Sequence, residues 1–263
     1  MKLKKELITL RDPKSPVSEI FRTLRTNIQF MNSKNGLKVL HVTSTSPSEG
    51  KSWVTSNLAV TFAQAGKKVV LVDCDMRKGR QFSIFGAKPT PGLSNLLTGV
   101  DSNGQELDNN IFQYIQQTVI ENLYLISSGN VPPNPSELLT SEQMNILVES
   151  LKNSFDLIIL DGTPCNLVTD SIVLTRYADS TLIVAAYKQT KMEDLKRVKR
   201  DIENVGGKIA GVVMNKMPIS NKEYYTKYYT KYYYGDSNMP SVKRKHKAMK
   251  GTDSDYRKED LMW

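Results

Sequence analysis

Six short runs in this chain are apolar at nearly every position, not at alternate ones. They fall at 37–44, 68–73, 122–127, 157–161, 181–186 and 209–214. A strand that is apolar on both faces must be covered on both faces, the condition of a parallel sheet inside an α/β domain. Helical spacing fills the intervals. It runs over 51–65, closed by Gly66, over 136–154, with Leu138, Leu139, Met144, Leu147, Val148 and Leu151, and over the charged stretch 192–205. The segment 89–110 is rich in Gly, Asn and Ser and reads as loop with a short helix at 93–97. The pattern predicts a mainly parallel sheet with helices on both faces. Ligands of such sheets sit beyond the carboxyl ends of the strands, so the polar residues closing each strand are the ones to read for chemistry.

The first strand runs into Thr45-Ser46-Pro47-Ser48-Glu49-Gly50-Lys51-Ser52 and then a helix. A phosphate-binding P-loop has Gly, four residues, then Gly-Lys-Ser/Thr. Thr45 stands where the first Gly belongs, so the strict pattern fails, while the strand–loop–helix context and Gly50-Lys51-Ser52 remain. In such a loop, backbone N–H groups point at phosphate oxygens. Lys51 would neutralise β- and γ-phosphate charge, and the Ser52 hydroxyl would ligate Mg²⁺. Glu49, Gly50, Lys51, Ser52 and Trp53 are the expected nucleotide-binding stretch. On the tripeptide alone, a chance match in an ordinary strand–turn–helix connection competes with this reading.

Two strands end in acid. Val69-Val70-Leu71-Val72 delivers Asp73-Cys74-Asp75-Met76-Arg77, and Leu157-Ile158-Ile159-Leu160 delivers Asp161. An Asp at the tip of a buried strand beside a P-loop holds Mg²⁺ directly or through water. Asp73 and Asp75 point to one side if the chain stays extended, and two such carboxylates repel unless a cation lies between them. Each Asp alone could be a helix cap or turn residue. Both together, in order after Gly50-Lys51-Ser52, argue for Asp73 and Asp161 as metal ligands. Asn215 follows the last strand, where its amide could read an adenine edge or simply close a turn.

Charge collects at the two ends. Residues 1–38 hold nine Lys and Arg against three Asp and Glu, and residues 218–263 hold ten against six, out of a net +9. Basic extensions suit an acidic partner or an anionic lipid face better than nucleic acid, for which no recognition motif is present. No run approaches the ~18 apolar residues that span a bilayer, and the N-terminus lacks an apolar signal core, so a cytoplasmic protein is expected. Two cysteines, Cys74 and Cys165, and two histidines, His41 and His246, offer no metal-ligand spacing. His41 lies in an apolar run and is expected in the core or at its edge.

After Pro218 the apolar periodicity stops, and a flexible tail is expected. Residues 224–234 read Tyr-Tyr-Thr-Lys-Tyr-Tyr-Thr-Lys-Tyr-Tyr-Tyr and hold seven of the chain's twelve tyrosines. A strand, a base-stacking surface and a low-complexity tail are the bland readings. The doublets alternate poorly and lysines interrupt them. The functional reading is a set of phosphate acceptors: Tyr224, Tyr225, Tyr228, Tyr229, Tyr232, Tyr233 and Tyr234. Seven phosphotyrosines would add about −10 to −14 of charge, enough to invert the sign of the segment.

Taken together, the loop at 45–52, the acid-tipped strands and the tyrosine cluster resemble the bacterial tyrosine kinases of capsule and exopolysaccharide systems, in their stand-alone cytoplasmic form. The resemblance runs from about residue 18 to 234. It includes Glu19, Arg22 and Arg25, which match that family's Glu-x-x-Arg-x-x-Arg helix motif. The segment Gly162-Thr163-Pro164 departs from the family's usual Thr/Ser-Pro-Pro. The resemblance implies a P-loop fold of the MinD/ParA type divided into an N-terminal extension (1–36), a kinase domain (37–217) and a tail (218–263). It implies ATP and Mg²⁺ held by Lys51, Ser52, Asp73 and Asp161. It implies Asp75 as the base or orienter of the incoming tyrosine, Arg77 near phosphate or bracing the loop, and ring assembly through Glu19, Arg22 and Arg25. It also implies phosphorylation in trans, a separate transmembrane activator that draws the protein to the inner membrane face, and a cognate tyrosine phosphatase. The competing reading is a MinD/ParA-type positioning ATPase. Those proteins carry a second lysine early in the loop, and none occurs between His41 and Gly50.

Overall fold

The protein is described by a computed structural model, over residues 6–31, 36–101, 103–108 and 110–218. The chain begins with the short helix α1 (Ile8–Arg11) and the long helix α2 (Pro16–Met31). It then alternates: β1 (Val39–Ser44), α3 (Lys51–Gln64), β2 (Val69–Asp73), α4 (Gln81–Phe85) and α5 (Leu93–Thr98). A 3₁₀ turn at Ile111–Tyr114 precedes β3 (Gln116–Gln117) and β4 (Leu123–Ile126). The remainder is α6 (Pro135–Leu139), α7 (Glu142–Ser154), β5 (Leu157–Pro164), α8 (Asp170–Leu174), β6 (Ser180–Ala186), α9 (Met192–Asn204) and β7 (Ile209–Asn215).

The seven strands form one sheet in the order β3-β4-β2-β5-β1-β6-β7. All neighbours are parallel except the two-residue β3, which runs antiparallel to β4. The central strands β1, β2, β5 and β6 are almost wholly buried, as their unbroken apolar runs require. The strand order reverses at β1, so the loop leaving β1 opens at the switch point where α/β sheets bind ligands. Register places Asp73 at the tip of β2 directly beside Asp161 on β5.

Helices α1 to α4 cover one face, around Leu58, Phe62, Leu40, Val42 and Ile159. Helices α5 to α8 cover the other, around Leu147, Leu151, Ile158 and Leu160. α3 is buried on nearly every side because the sheet lies beneath it and α1 and α2 lie above. The single helix expected at 136–154 is two, because the Ser141 hydroxyl caps α7 by accepting from the Met144 N–H.

Residues 6–31 pack onto α3. Leu7 is buried, and the Asn57 amide on α3 accepts from the Thr9 N–H at 3.1 Å and donates to the Glu6 carbonyl at 3.0 Å. The described residues up to Pro218 form one unit. The expected tail, with its tyrosine cluster, lies from Ile219 onward outside the described residues. Among the described residues, no helix is long and apolar enough to cross a membrane.

Candidate active site

The loop after β1 is braced by its own glutamate. Glu49 is buried, and its carboxylate accepts from the Thr45 hydroxyl at 2.7 Å, the Ser46 N–H at 2.8 Å and the Thr190 hydroxyl. Thr45, at the position where a P-loop has glycine, is therefore an internal tie. Positive φ occurs further on, at Ser48 (63°) and Gly50 (94°). Gly50 also leaves room for Asn215, since a Cβ there would lie 2.1 Å from Asn215 Nδ2. That amide nitrogen donates to the Glu49 carbonyl at 2.8 Å. The Glu49 side chain and the Asn215 Nδ2 thus hold the loop, and neither faces the cavity.

Lys51 opens α3 and gathers the acids. Its Nζ lies 3.0 Å from Asp75 Oδ2, 3.8 Å from Asp161 Oδ1 and 3.2 Å from the Ser52 hydroxyl. Burial opposes the ammonium charge, but Asp161, Asp75 and Asp73 outweigh it and raise the pKa above its ordinary value. Asp73 is fully buried, and its pKa is pushed up to about 7, first by burial and then by Asp161. Two buried carboxylates side by side with one lysine carry surplus negative charge. With the Ser52 hydroxyl they make a hard oxygen set of the kind Mg²⁺ takes when phosphate oxygens complete its shell. Among the described residues, no three His, Cys, Asp or Glu side chains form a cage that could hold a metal unaided.

Three buried residues that motif reading passed over complete the network. Gln81 Nε2 donates to Asp161 Oδ2 at 2.7 Å, and the Gln81 N–H donates to Asp73 Oδ2 at 2.9 Å. The Thr55 hydroxyl donates to Asp161 Oδ1 at 3.2 Å. Asp170, fully buried at the start of α8, accepts from Arg77 Nε at 3.0 Å and from the Ser136 hydroxyl. No spacing rule marks any of the three. They sit in short helices or mid-helix, and their role depends on where the sheet brings the acids.

A cavity of about 360 Å³ lies over this cluster. Gly50, Lys51, Ser52 and Asp75 line its floor, Pro47, Trp53, Pro164, Leu167 and Val168 supply apolar wall, and Arg77, Lys78 and Arg80 add positive charge. Trp53 is fixed edge-on against Phe21 of α2 at 5.3 Å. Arg77 is tied back to Asp170, which raises its pKa.

Glu19, Arg22 and Arg25 lie on α2, away from the residues that line the cavity. Arg22 pairs with Glu19, whereas Arg25 turns inward and donates to the Thr61 carbonyl of α3 at 2.7 Å. The seven candidate acceptor tyrosines lie outside the described residues.

His41 is fully buried on β1, and burial, then Lys51, lowers its pKa to about 3. Beside it, a Cβ on Gly162 would meet His41 Nε2 and the Ser171 hydroxyl, each at 2.4 Å. The unusual Gly162 after Asp161 therefore fits a site already filled by an imidazole.

Residues 37–213 match the family described as an AAA domain. The chain is 39% identical to the putative tyrosine-protein kinase CapB of Staphylococcus aureus, over 81% of this chain and 90% of that one. It is 35% identical to the tyrosine-protein kinase YwqD of Bacillus subtilis, over 85% of this chain and 91% of that one. The solved chimerical protein CapA2B2 superposes with a TM-score of 0.75 at 37% identity, covering 83% of this chain and 93% of that chain. The septum site-determining protein MinD of Pyrococcus horikoshii, complexed with Mg-ADP, superposes with a TM-score of 0.55 at 22% identity, covering 67% and 69%, a likeness of fold alone.

Proposed function

The chain belongs to the bacterial tyrosine-protein kinases, and from that premise we propose that it transfers the γ-phosphoryl group of Mg·ATP to tyrosines of its own C-terminal segment, in trans within a ring. The observation that carries the proposal is the Lys51–Asp75 pair at 3.0 Å on the floor of a cavity with an apolar wall. That arrangement offers a phosphate-binding cation, a carboxylate and a slot for an aromatic ring in one place.

Backbone N–H groups at the start of α3 and the Lys51 ammonium receive the phosphates. Ser52, Asp73 and Asp161 would hold Mg²⁺, which would neutralise charge developing on the phosphates. An acceptor ring enters along Pro164, Leu167 and Val168. Once Lys51 turns to phosphate, Asp75 is free to take the proton of the acceptor hydroxyl. The tyrosine oxygen bonds to the γ-phosphorus, the bond to the bridging oxygen breaks, and ADP leaves. Arg77, held by Asp170, fixes the loop that carries Asp75 and lends positive charge at the mouth.

The acceptors are Tyr224, Tyr225, Tyr228, Tyr229, Tyr232, Tyr233 and Tyr234, and their modification reverses the charge of a basic segment. Glu19, Arg22 and Arg25 on α2 contribute to subunit contact. A separate transmembrane protein activates the kinase at the inner membrane face, a tyrosine phosphatase resets it, and the cycle regulates capsular or exopolysaccharide synthesis and export. The test is to incubate the full chain with Mg·ATP, with and without a candidate activator, and map phosphate by mass spectrometry. Label confined to 224–234 supports the proposal. ATP hydrolysis with no phosphotyrosine under any condition favours a positioning ATPase of the MinD type instead.

A further inference from the structure

We propose that Gln81 is a positioning residue that sets the two strand-tip carboxylates for a divalent cation. Asp73 and Asp161 stand side by side in register, and both are fully buried. Something must fix their separation without cancelling the charge the cation needs. A second lysine or arginine beside Lys51 would cancel it, and an acid would add to the repulsion. Gln81 is neutral, fully buried and bonded to both acids. Its backbone N–H donates to Asp73 Oδ2 at 2.9 Å, and its side-chain Nε2 donates to Asp161 Oδ2 at 2.7 Å.

The amide cannot turn over. Its second Nε2 hydrogen goes to the Ser52 carbonyl at 3.2 Å, and its Oε1 accepts from the Ser56 hydroxyl at 2.8 Å. Flipping it would face Oε1 to a carboxylate oxygen and a carbonyl. The side chain therefore links β5 to the first turns of α3, and the backbone N–H of the same residue ties in β2, so that one residue joins the three elements that carry Asp73, Asp161 and Ser52. Each carboxylate oxygen accepts more than one bond, so the contacts with Gln81 leave capacity for metal. Gln81 orients the ligands from behind and is not among the residues that line the cavity.

The inference rests on the Mg·nucleotide reading of the site, and the test separates the two. Titrate a fluorescent ADP analogue into the full chain, in excess Mg²⁺ and in EDTA, then titrate Mg²⁺ at fixed nucleotide. Gln81→Met keeps the length and the backbone N–H on Asp73 and removes the side-chain donor to Asp161. The expected result is a rise of about tenfold or more in the Mg²⁺ concentration at half-saturation, the scale of one lost hydrogen bond to a charged group, with affinity in EDTA unchanged within about twofold. Gln81→Glu, which faces a carboxylate to Asp161, shifts it further. Ser56→Ala, which removes the Oε1 anchor together with the hydroxyl's contact to the Ser52 carbonyl and introduces a good helix former, shifts it less, in the same direction. An unchanged Mg²⁺ requirement in Gln81→Met or Ser56→Ala, or equal losses with and without Mg²⁺, overturns the proposal. A wild-type chain whose nucleotide affinity ignores Mg²⁺ overturns the parent reading as well.

Discussion

The ammonium group of Lys51 lies 3.0 Å from Asp75, although the loop that carries it is shaped for phosphate. The lysine is thus engaged by the carboxylate proposed to serve the acceptor hydroxyl. Under the proposed reaction, nucleotide phosphate would compete for Lys51 and release Asp75, which would tie acceptor activation to occupancy of the site.

Lys51→Met should therefore lower tyrosine labelling by about 10²–10³-fold, the scale of losing one charge-stabilising donor in a transition state. Asp75→Asn should retain nucleotide affinity, or raise it, because Lys51 no longer has to leave a partner, while labelling falls. Nucleotide titration beside a phosphotyrosine assay reads both quantities. Parallel loss of affinity and labelling in Asp75→Asn would end the idea of a released base.

Replacing Tyr224, Tyr225, Tyr228, Tyr229, Tyr232, Tyr233 and Tyr234 with Phe should abolish self-labelling and leave nucleotide affinity within about twofold of the parent. All the residues proposed to bind Mg·ATP lie before Pro218. A fall in ATP affinity in the Phe variant would show that the tail forms part of the nucleotide site.

Asn215 separates two roles by nucleotide choice. Its Nδ2 is bonded to the Glu49 carbonyl and seated against Gly50. As a loop clasp, Asn215→Ala should weaken ATP and GTP alike, by up to about tenfold for one hydrogen bond. As a reader of the adenine edge it would change the ratio of the two. Competition binding with both nucleotides decides between them.

The parallel sheet was legible because its strands are apolar on both faces, and the order of loop and acids followed from strand ends. The lengths of α3, β2 and α9 came within a residue or so of expectation for the same reason. What stayed hidden was short or three-dimensional. Five-residue helices such as α4 and α8 carry no readable period, and β3 is two glutamines. Gln81, Thr55 and Asp170 are polar residues whose purpose appears only when neighbouring strands bring Asp73, Asp161 and Arg77 to them. Glu49 was legible only as part of the phosphate-loop stretch and Arg25 only as part of a helix motif; that one braces the loop and the other reaches the backbone of α3 shows only in three dimensions.

Gly162 and His41 should behave as one unit. Gly162→Ala brings a methyl to about the position that imidazole and hydroxyl already fill, and overpacking of this kind costs about 1–3 kcal/mol. Combining it with His41→Ala opens space and should recover part of the loss, giving a coupling of at least about 0.5 kcal/mol. Strict additivity in denaturant unfolding would show that the two do not share the space.

His41 also gives the domain a pH dependence of definite sign. Its pKa is lowered to about 3 in the folded chain by burial and by Lys51, against an ordinary value of 6.5. Between these values the unfolded chain binds the extra proton, so stability rises with pH across the window and is lost as pH falls below about 6.5. The slope approaches 1.4 kcal/mol per pH unit, which amounts to about 2 kcal/mol by pH 5. Asp73, raised to about 7, works in the opposite direction, so the wild-type curve alone conceals the effect. The difference between wild type and His41→Asn removes Asp73 and every other shared group. In metal-free buffer, that difference should be constant above pH 7 and shift in favour of the Asn variant by about 2 kcal/mol at pH 5. A flat difference from pH 7 to pH 5 would mean that the imidazole takes up its proton alike in the folded and the unfolded chain, at its ordinary pKa.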